Sequence, residues 1–392
     1  MDRSGHITGP DNCPQLLQEG GAGIREWDLV IIGAGSVGCC VARDAAMRGL
    51  KTLLIERRKV AAGTSSRNQF NLVSGVRYVV CDPEVAAECQ RENRVLRRIA
   101  PHLIGHQRDL FVCPDDVEYC NTAEQNAKRY GLTLRNIPLD EAIKRVPFLS
   151  RKVYKVFETD DTYFNAVRFC HSNVKAALQH GATFIKGCDT LAIEKGKVVT
   201  AKGTFRTRYV VNAAGFLCNQ VARLAGFKVE MVLSLGAFVV FKRKLSSTGV
   251  QKLAPPGDGD AYKPLLSRAT LGTTSVTVAE DAWEDALAEV NRKKKEIIDY
   301  LKEKFSSVIP KVKDEEVLTV IAGIRPLVKS GDEEDGRKIS RRFVLIEHSE
   351  WMLTITGGKL VTSRLMAEKA VDVVCRRLGV EAKCRTADVV LP

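Results

Sequence analysis

Three glycines and one acidic residue near the start of the chain have the spacing of a dinucleotide site. Gly33, Gly35 and Gly38 lie in the stretch "IIGAGSVG", and Glu56 ends the apolar run "KTLLIE". In this pattern the first glycine permits a tight turn, the second lets the backbone approach a pyrophosphate, and the third lets a helix pack closely on a strand. The acid would accept hydrogen bonds from the ribose hydroxyls.

The elements that must position these residues are predicted to be a strand, a helix and a second strand. The run "DLVIIG" is continuously apolar, which is typical of a parallel strand covered on both faces. A helix is predicted over residues 36–48, with Gly49 ending it. Ser36 and Val37 form its first turn, whose free N–H groups favour a bound phosphate. This order of elements predicts a bound dinucleotide.

Small-residue turns elsewhere in the chain favour FAD over a nicotinamide. Hydroxyls and an arginine follow the second strand in "GTSSRNQ", and further turns occur in "VVNAAG" and "TITGGKL". The last turn opens a helix whose amino end can stabilise negative charge on a reduced flavin. A nicotinamide cofactor that binds only transiently would not need contacts from such widely separated segments. Glu56 would repel the 2′-phosphate of NADP, although Arg57 and Arg58 leave NADP open as an alternative. The predicted FAD-binding residues are Gly33, Gly35, Ser36, Val37, Gly38, Glu56, Arg57, Thr64, Ser65, Ser66, Arg67, Asn68, Thr190, Ala214, Gly215, Gly357, Gly358, Lys359 and Leu360.

Composition and charge restrict the class of protein. The 392 residues suit two joined domains, and no apolar run approaches the roughly 20 residues that span a bilayer. Twelve cysteines are irregularly spaced without a CxxC pair, so we expect free, mostly buried thiols in a reducing cytosol and no metal site. The net charge of +13 indicates either a solvated basic surface or an anionic substrate or membrane face. Nucleic acid is disfavoured because the basic residues are dispersed.

Further patterns predict how the domains are assembled. Helices are expected over residues 82–101 and in "AVRFCHSNVKAALQHG", antiparallel strands over 229–280, one charged helix in "EVNRKKKEIIDYLKEKF", and a strand, turn and long helix at the end. We therefore predict a flexible leader over 1–26, a discontinuous FAD-binding domain from 27–110, 160–228 and 345–392, and a substrate domain from 111–159 and 229–344.

Eight motifs in order, from Asp28 to the end, resemble FAD-dependent glycerol-3-phosphate dehydrogenases, most closely the large catalytic subunit of the bacterial anaerobic type. They are the glycine motif, "GTSSRNQ", "SGVRY", "VVNAAG", "LGTTS", "GIRPL", "ISRR" and "TITGGKLVTSRLMAE". The resemblance implies an α/β Rossmann-like fold of the glutathione-reductase and D-amino-acid-oxidase type with an inserted antiparallel-sheet domain. It also implies oxidation of sn-glycerol 3-phosphate to dihydroxyacetone phosphate, with electrons passed to a quinone or an electron-transfer protein. The bacterial type carries an additional cysteine-rich domain that this sequence lacks, so an iron–sulfur relay is expected elsewhere.

The same resemblance suggests the substrate site. Arg77, Arg325, Arg341 and Lys359 would hold the phosphate dianion, for which guanidinium forks are well suited, and Tyr78 would shape the pocket. Of these, Arg77, Arg325 and Lys359 are the expected catalytic residues. Other interpretations stay open: Arg77 and Arg325 as structural ion pairs, Arg341 as a solvated residue, and Lys359 as a cap near the flavin.

Three positions depart from the pattern of the family. Val73 stands where a histidine usually takes the hydroxyl proton, Leu235 where a lysine is usual, and Phe164 where an aspartate is expected. Lys359, His348 or a water molecule could supply the missing base. Alternatively, the substrate is a different anionic alcohol or amine, or the protein is a flavoprotein subunit with weak or no activity.

The sequence says less about assembly and location. We expect a cytoplasmic protein and leave open peripheral binding to the inner face of the cell membrane, for which the basic charge is suited. A homodimer is one oligomeric state that the sequence leaves open.

Overall fold

The computed structural model describes residues 26–255, 260–328 and 339–392. The predicted leader therefore lies outside the described residues, except Glu26, which already begins the first strand. The strands are β1 Glu26–Ile32, β2 Thr52–Glu56, β3 Asn71–Leu72, β4 Leu110–Cys113, β5 Leu134–Ile137, β6 Lys155–Thr159, β7 Thr162–Tyr163, β8 Thr183–Lys186, β9 Thr190–Glu194, β10 Lys197–Thr200, β11 Gly203–Asn212, β12 Met231–Phe241, β13 Val250–Lys252, β14 Ala261–Leu265, β15 Arg268–Gly272, β16 Val276–Val278, β17 Val317–Val328, β18 Phe343–Ser349 and β19 Met352–Gly357. The helices are α1 Ser36–Met47, α2 Pro83–Ile99, α3 Val117–Arg129, α4 Leu139–Arg145, α5 Ala166–Gln179, α6 Cys218–Arg223, α7 Trp283–Arg292, α8 Lys294–Ser306 and α9 Ser363–Leu378.

The first sheet is mostly parallel and is covered on both faces. Its central order is β18-β19-β11-β1-β2-β8, with β18 antiparallel to β19 and the β9–β10 hairpin attached to β11. Leu29 and Ile31 of β1 pack against α1, α5 and α9, whereas Val30 and Ile32 pack on the opposite face with the hairpin. The continuous apolar run is thus explained by burial on both sides, and the predicted first helix and second strand are confirmed.

The second sheet is mostly antiparallel and is built from the two predicted substrate-domain ranges. Its order is β16-β12-β15-β14-β13-β4-β6-β5, and β17 pairs along almost the whole length of β12. In this register Ser234 lies opposite Arg325 and Gly236 lies opposite Gly323. Through this pairing, Arg325 of β17 lies on the side of the second sheet that faces the first domain. The exact domain boundaries stay a prediction.

The single charged helix predicted near residue 290 is wrong, because the segment forms two helices that meet at Lys293. Leu287 and Val290 of α7 pack in one apolar cluster with β12 and β17, whereas Leu301 and Phe305 of α8 pack in another with β4 and β15. The two helices thus bury most of their apolar side chains in different clusters, and the helical period of the sequence cannot show that division.

The cysteine prediction is wrong for one pair. Cys113 at the end of β4 and Cys120 in α3 form a disulfide, with Cα atoms 6.2 Å apart. The loop between them folds back because Asp116 caps α3, its side chain accepting a hydrogen bond from the Tyr119 amide. A spacing of seven residues matches no common motif, so the sequence did not reveal it. The other described cysteines are free and mostly buried, and burial raises the pKa of the Cys89 thiol to about 12.

Among the helices that the structure describes, none combines the length and apolar character that crossing a lipid bilayer requires.

Candidate functional site

The predicted turns converge on one cavity of about 620 Å³ at the carboxyl edge of the parallel strands, under the second sheet. That edge is where ligands of open α/β sheets bind, and the volume is in the usual range of about 300–1,000 Å³ for small-molecule sites. Gly38 and Ser66 are the predicted site residues that do not line the cavity. The remaining predicted residues line it: Gly33, Gly35, Ser36, Val37, Glu56, Arg57, Thr64, Ser65, Arg67, Asn68, Arg77, Tyr78, Thr190, Ala214, Gly215, Arg325, Arg341, Gly357, Gly358, Lys359 and Leu360.

The first glycine turn is as tight as its spacing suggested. Gly33 has a φ of +103°, and a Cβ atom there would lie 2.8 Å from the Ala213 carbonyl oxygen. A Cβ atom on Gly38 would lie 1.8 Å from the carbonyl oxygen of Gly33. Gly38 therefore acts behind the turn, by letting α1 approach the end of β1, and this explains why it does not reach the cavity.

Glu56 is held in place at the end of β2 by two backbone amides. Its Oε2 accepts a hydrogen bond from the Ala34 amide at 2.8 Å, and its Oε1 accepts one from the Arg58 amide at 2.8 Å. Thr190 also lines the cavity. A carboxylate oriented in this way, with lone pairs left over, fits the ribose of an adenine dinucleotide.

The amino ends of two helices meet beside the cavity. Ser363 in the first turn of α9 donates a hydrogen bond from its hydroxyl to that of Ser36 in the first turn of α1, at 2.9 Å. The Ser36 amide donates to Ser65 Oγ at 2.9 Å. A Cβ atom on Gly35 would meet only Ser65 Oγ, at 3.5 Å, so the cavity side of Gly35 is open for a ligand. The open glycine, the two helix ends and the acid fit the pyrophosphate, the flavin and the ribose of FAD.

Arg325 enters the cavity from the second sheet in a fixed orientation. Its guanidinium donates to Ser234 Oγ at 3.3 Å, to Thr273 Oγ1 at 2.5 Å and to the Thr274 carbonyl oxygen at 3.2 Å. Gly236 leaves the necessary space, because a Cβ atom there would lie 2.2 Å from the guanidinium. These three contacts orient the guanidinium, and the groups that accept its hydrogen bonds in them are neutral.

Three further predicted cations lie at the same cavity. Lys359 Nζ contacts the Tyr78 hydroxyl and lies 4.1 Å from the centre of that ring. Arg77 donates from Nη2 to the side-chain oxygen of Gln251. Arg341 is buried and lines the cavity, so its interpretation as a solvated surface residue is wrong. The structure thus brings together every residue that was predicted to hold the substrate phosphate.

The three departures from the family pattern lie in different surroundings. Val73 lines the cavity, where its side chain offers no proton acceptor. Leu235 packs in the apolar cluster between α7 and the second sheet, and Phe164 is fully buried against Phe169 with ring centres 5.2 Å apart. Only the change at Val73 therefore alters the described cavity wall.

His348 is wrong as a candidate base because it does not line the cavity. Its Nε2 lies 2.8 Å from Thr354 Oγ1, and its ring stacks on that of Phe227 with centres 4.8 Å apart. Burial lowers the pKa of this imidazole. It belongs to the edge of the first sheet.

Sequence reasoning missed a group of polar side chains at and beneath the cavity wall. Asp109, Asp161, Gln251 and Lys263 are buried, and Asn71 joins them to the cavity, which it lines; we call these five the buried polar cluster. A weak signal was present, since "AYKPLL" places a lysine in an otherwise apolar strand. Its partners come from distant segments, so their meeting could not be read from spacing.

A family described as FAD dependent oxidoreductase matches residues 28–364, and the chain belongs to this family. Its cofactor is FAD, as predicted, and it is an oxidoreductase of this class.

Two relatives of the chain are particularly informative. It is 34% identical over 383 residues to one subunit of the anaerobic glycerol-3-phosphate dehydrogenase of Haemophilus influenzae, and the match covers 93% of this chain and 67% of the relative. It is 33% identical to the corresponding subunit of Escherichia coli K12, with 93% and 70% covered. The predicted resemblance to this group is therefore confirmed.

Solved structures confirm the predicted fold. The FAD-bound L-alpha-glycerophosphate oxidase of Mycoplasma pneumoniae matches with a TM-score of 0.73 and 17% identity, over 94% of this chain and all of that one. The glycerol-3-phosphate dehydrogenase of Bacillus halodurans complexed with FAD matches with a TM-score of 0.68 and 23% identity, over 94% and 68% of the two chains.

Proposed function

We propose that the protein oxidises sn-glycerol 3-phosphate to dihydroxyacetone phosphate with FAD as the oxidant. The observation that carries this proposal is the convergence of Arg77, Arg325, Arg341 and Lys359 on a cavity that also fits FAD. A phosphate dianion needs several cations in fixed positions, and guanidinium forks provide them. The names of the relatives, which are glycerol-3-phosphate dehydrogenases, support the same substrate.

The side chains of the site bind and orient the substrate. Arg325 presents donors that are already fixed by Ser234 and Thr273, so little conformational entropy is lost when an anion binds. Holding the phosphate at one end fixes the position of the carbinol carbon at the other. When bound, FAD supplies the acceptor for the hydride that leaves this carbon.

The proton of the substrate hydroxyl needs a separate acceptor. Val73 cannot take it, and His348 lies elsewhere. Lys359, which reaches the cavity beside Tyr78, remains the side-chain candidate, with water as the alternative. As the base Lys359 would have to be neutral, and the three arginines would then hold the phosphate. General-base assistance contributes typically about 10²–10⁴ in rate, so turnover by this protein is expected to be slow rather than absent.

Anaerobic mixing of the yellow protein with glycerol 3-phosphate tests the proposal. Loss of the flavin absorbance on mixing is the expected result. A flavin that keeps its absorbance with glycerol 3-phosphate, yet loses it with dithionite, would contradict the proposed substrate.

Val73 at the cavity wall favours one second candidate, a different anionic alcohol or amine whose oxidation does not need a histidine. Bleaching by such a compound, but not by glycerol 3-phosphate, would identify this case. A flavin that is inert to every candidate would instead indicate a subunit without dehydrogenase activity.

Introducing a histidine at position 73 should accelerate the reductive step. In Val73→His the imidazole would reach the cavity and accept the hydroxyl proton, and we expect the rate of flavin reduction by glycerol 3-phosphate to rise by about tenfold or more. Stopped-flow absorbance measures the rate. Val73→Asn is the matched control, because it adds polarity without a base. Equal rates for the histidine variant and the parent would show that the missing base does not limit turnover.

For reoxidation we propose that electrons pass to a quinone or to an electron-transfer protein, from a cytoplasmic enzyme that docks on the inner face of the membrane. The net charge of +13 supports docking on anionic lipid. Sedimentation with phosphatidylglycerol vesicles, but not with phosphatidylcholine vesicles, and release by salt are expected. Equal sedimentation with both lipids would contradict an electrostatic contact.

A further inference from the structure

The buried polar cluster contains an ion pair in the interior of the second sheet. Lys263 is 1% exposed and pairs with Asp109, which is 2% exposed. The Lys263 ammonium also donates to Asn71 Oδ1 at 2.8 Å, and Asn71 lines the cavity. Burial, together with the nearby charge of Arg77, lowers the pKa of Lys263. A buried pair of this kind contributes little to stability by itself.

Gln251 connects this ion pair to the cavity. It is fully buried, and its Nε2 donates to Asp161 Oδ2 at 2.9 Å and to Asp109 Oδ2 at 3.3 Å. Its Oε1 accepts from the guanidinium of Arg77. If the amide were rotated by 180°, its oxygen would face the carboxylates of Asp109 and Asp161, and its NH₂ group would face the Arg77 guanidinium. The surrounding charges therefore allow one orientation of the amide.

The amide orients Arg77 without neutralising it. A carboxylate in the place of Gln251 would also hold the guanidinium, but it would cancel the positive charge that attracts an anion. The two carboxylates of the cluster are instead satisfied by other donors. Asp109 has Lys263 and the Gly249 amide, and Asp161 has the Ser74 amide and hydroxyl and the Asn71 side chain. Arg77 thus faces the cavity with its charge available.

We propose that Gln251 is the positioning residue for Arg77, and that the Lys263–Asp109 pair behind it keeps its amide oriented so that Arg77 can bind the substrate anion. Gln251 lies outside the cavity lining and acts through the guanidinium. The inference rests on the proposed function in one respect, namely that Arg77 binds an anion.

The first test replaces the amide with an apolar group of similar size. In Gln251→Leu the guanidinium loses its acceptor, and we expect the dissociation constant of inorganic phosphate to rise by about tenfold, the size typical of one hydrogen bond to a charged group. Isothermal titration of the FAD-loaded protein measures it. The KM for glycerol 3-phosphate should rise by a similar factor, whereas kcat and FAD content should stay within about threefold of the parent.

Gln90→Leu is the matched control for loss of stability. Gln90 is also buried, donates to Asp160 Oδ2 at 3.0 Å, accepts from the Thr133 amide at 3.2 Å and lies outside the cavity lining. This variant should lower the melting temperature to a similar extent and leave phosphate affinity unchanged. A purely structural role for Gln251 would make the two variants behave alike.

The second test changes the charge. In Gln251→Glu the new carboxyl would lie against Asp109 and Asp161, whose charges raise its pKa, and against the Arg77 guanidinium, which lowers it. When protonated it would donate to a carboxylate as the amide does and leave Arg77 as in the parent. When ionised, the added negative charge would neutralise Arg77, and ionisation is favoured as the pH rises. The ratio of the variant's phosphate dissociation constant to that of the parent should therefore increase with pH, reversibly and with FAD retained.

The outcomes separate this inference from the proposed function. If the parent oxidises glycerol 3-phosphate while Gln251→Leu binds phosphate normally, the inference is wrong and the function stands. If the parent binds phosphate but does not oxidise glycerol 3-phosphate, and Gln251→Leu weakens the binding, the function is wrong and the inference stands. A parent that binds no phosphate, or a Gln251→Glu variant that binds phosphate as tightly as the parent at every pH, would overturn the inference.

Discussion

Replacing Arg325 with alanine is expected to reduce kcat/KM for glycerol 3-phosphate by about 10²- to 10³-fold, because removing one partner of a buried charge contact costs about 2–5 kcal/mol. FAD content should remain that of the parent. Arg325 belongs to β17 of the second sheet and not to a glycine turn, and its guanidinium donates to three neutral groups of its own sheet.

Two controls sharpen the result for Arg325. Arg325→Lys keeps the charge but not the fork, so it should recover only part of the lost activity. Arg268→Ala removes an exposed arginine from β15 of the same sheet and should have little effect. Steady-state kinetics and the absorbance of bound flavin are the measurements. A parallel loss of FAD and of substrate binding in Arg325→Ala would show that this residue is structural.

Replacing Gly38 with alanine is expected to damage the fold itself. The added Cβ atom would lie 1.8 Å from the carbonyl oxygen of Gly33, which is backbone and cannot rotate away, so α1 would have to move off the end of β1. Overpacking usually costs about 1–3 kcal/mol, and a contact with backbone should reach the upper end of that range. We expect a lower melting temperature of the apoprotein and a protein that purifies without flavin.

Gly35 offers a comparison within the same motif. A Cβ atom there meets only Ser65 Oγ, at 3.5 Å, and otherwise points into the cavity. Gly35→Ala should therefore leave the melting temperature of the apoprotein unchanged while it weakens FAD binding. Thermal unfolding and flavin titration distinguish the two effects. Normal stability and normal FAD affinity in Gly38→Ala would contradict the packing of α1 on β1.

The cofactor site was largely predictable because its signals are local. A glycine that must adopt a positive φ, a helix end that must face a phosphate and an acid that closes a strand can each be recognised from the few residues around them. The apolar run of β1 likewise predicted a strand buried on both faces, and the packing of Leu29 and Val30 on opposite sides of the sheet agrees with it. The resemblance of the arginine motifs then added the substrate end of the cavity.

Other features depend on contacts between distant segments. Cys113 and Cys120 pair because a capped turn folds α3 back on β4. The helix near residue 290 divides at Lys293, and its two halves pack mainly in different apolar clusters. His348 was as plausible a base as any other histidine in the sequence, but the fold stacks its ring on Phe227, away from the cavity. Contacts between such distant segments cannot be inferred from the hydrophobic period or from the spacing of residues.

The backbone of the dinucleotide site and the class of cofactor follow from short-range steric and electrostatic requirements, which can be read from the sequence. The orientation of the cationic side chains that bind the substrate, and whether a neighbouring charge neutralises them, cannot be read from it. Whether Arg77 faces an amide or a carboxylate depends on Gln251, which arrives from a strand 174 residues away in the chain. Burial makes such a choice of partner energetically important, and burial is a property of the folded protein rather than of any one segment.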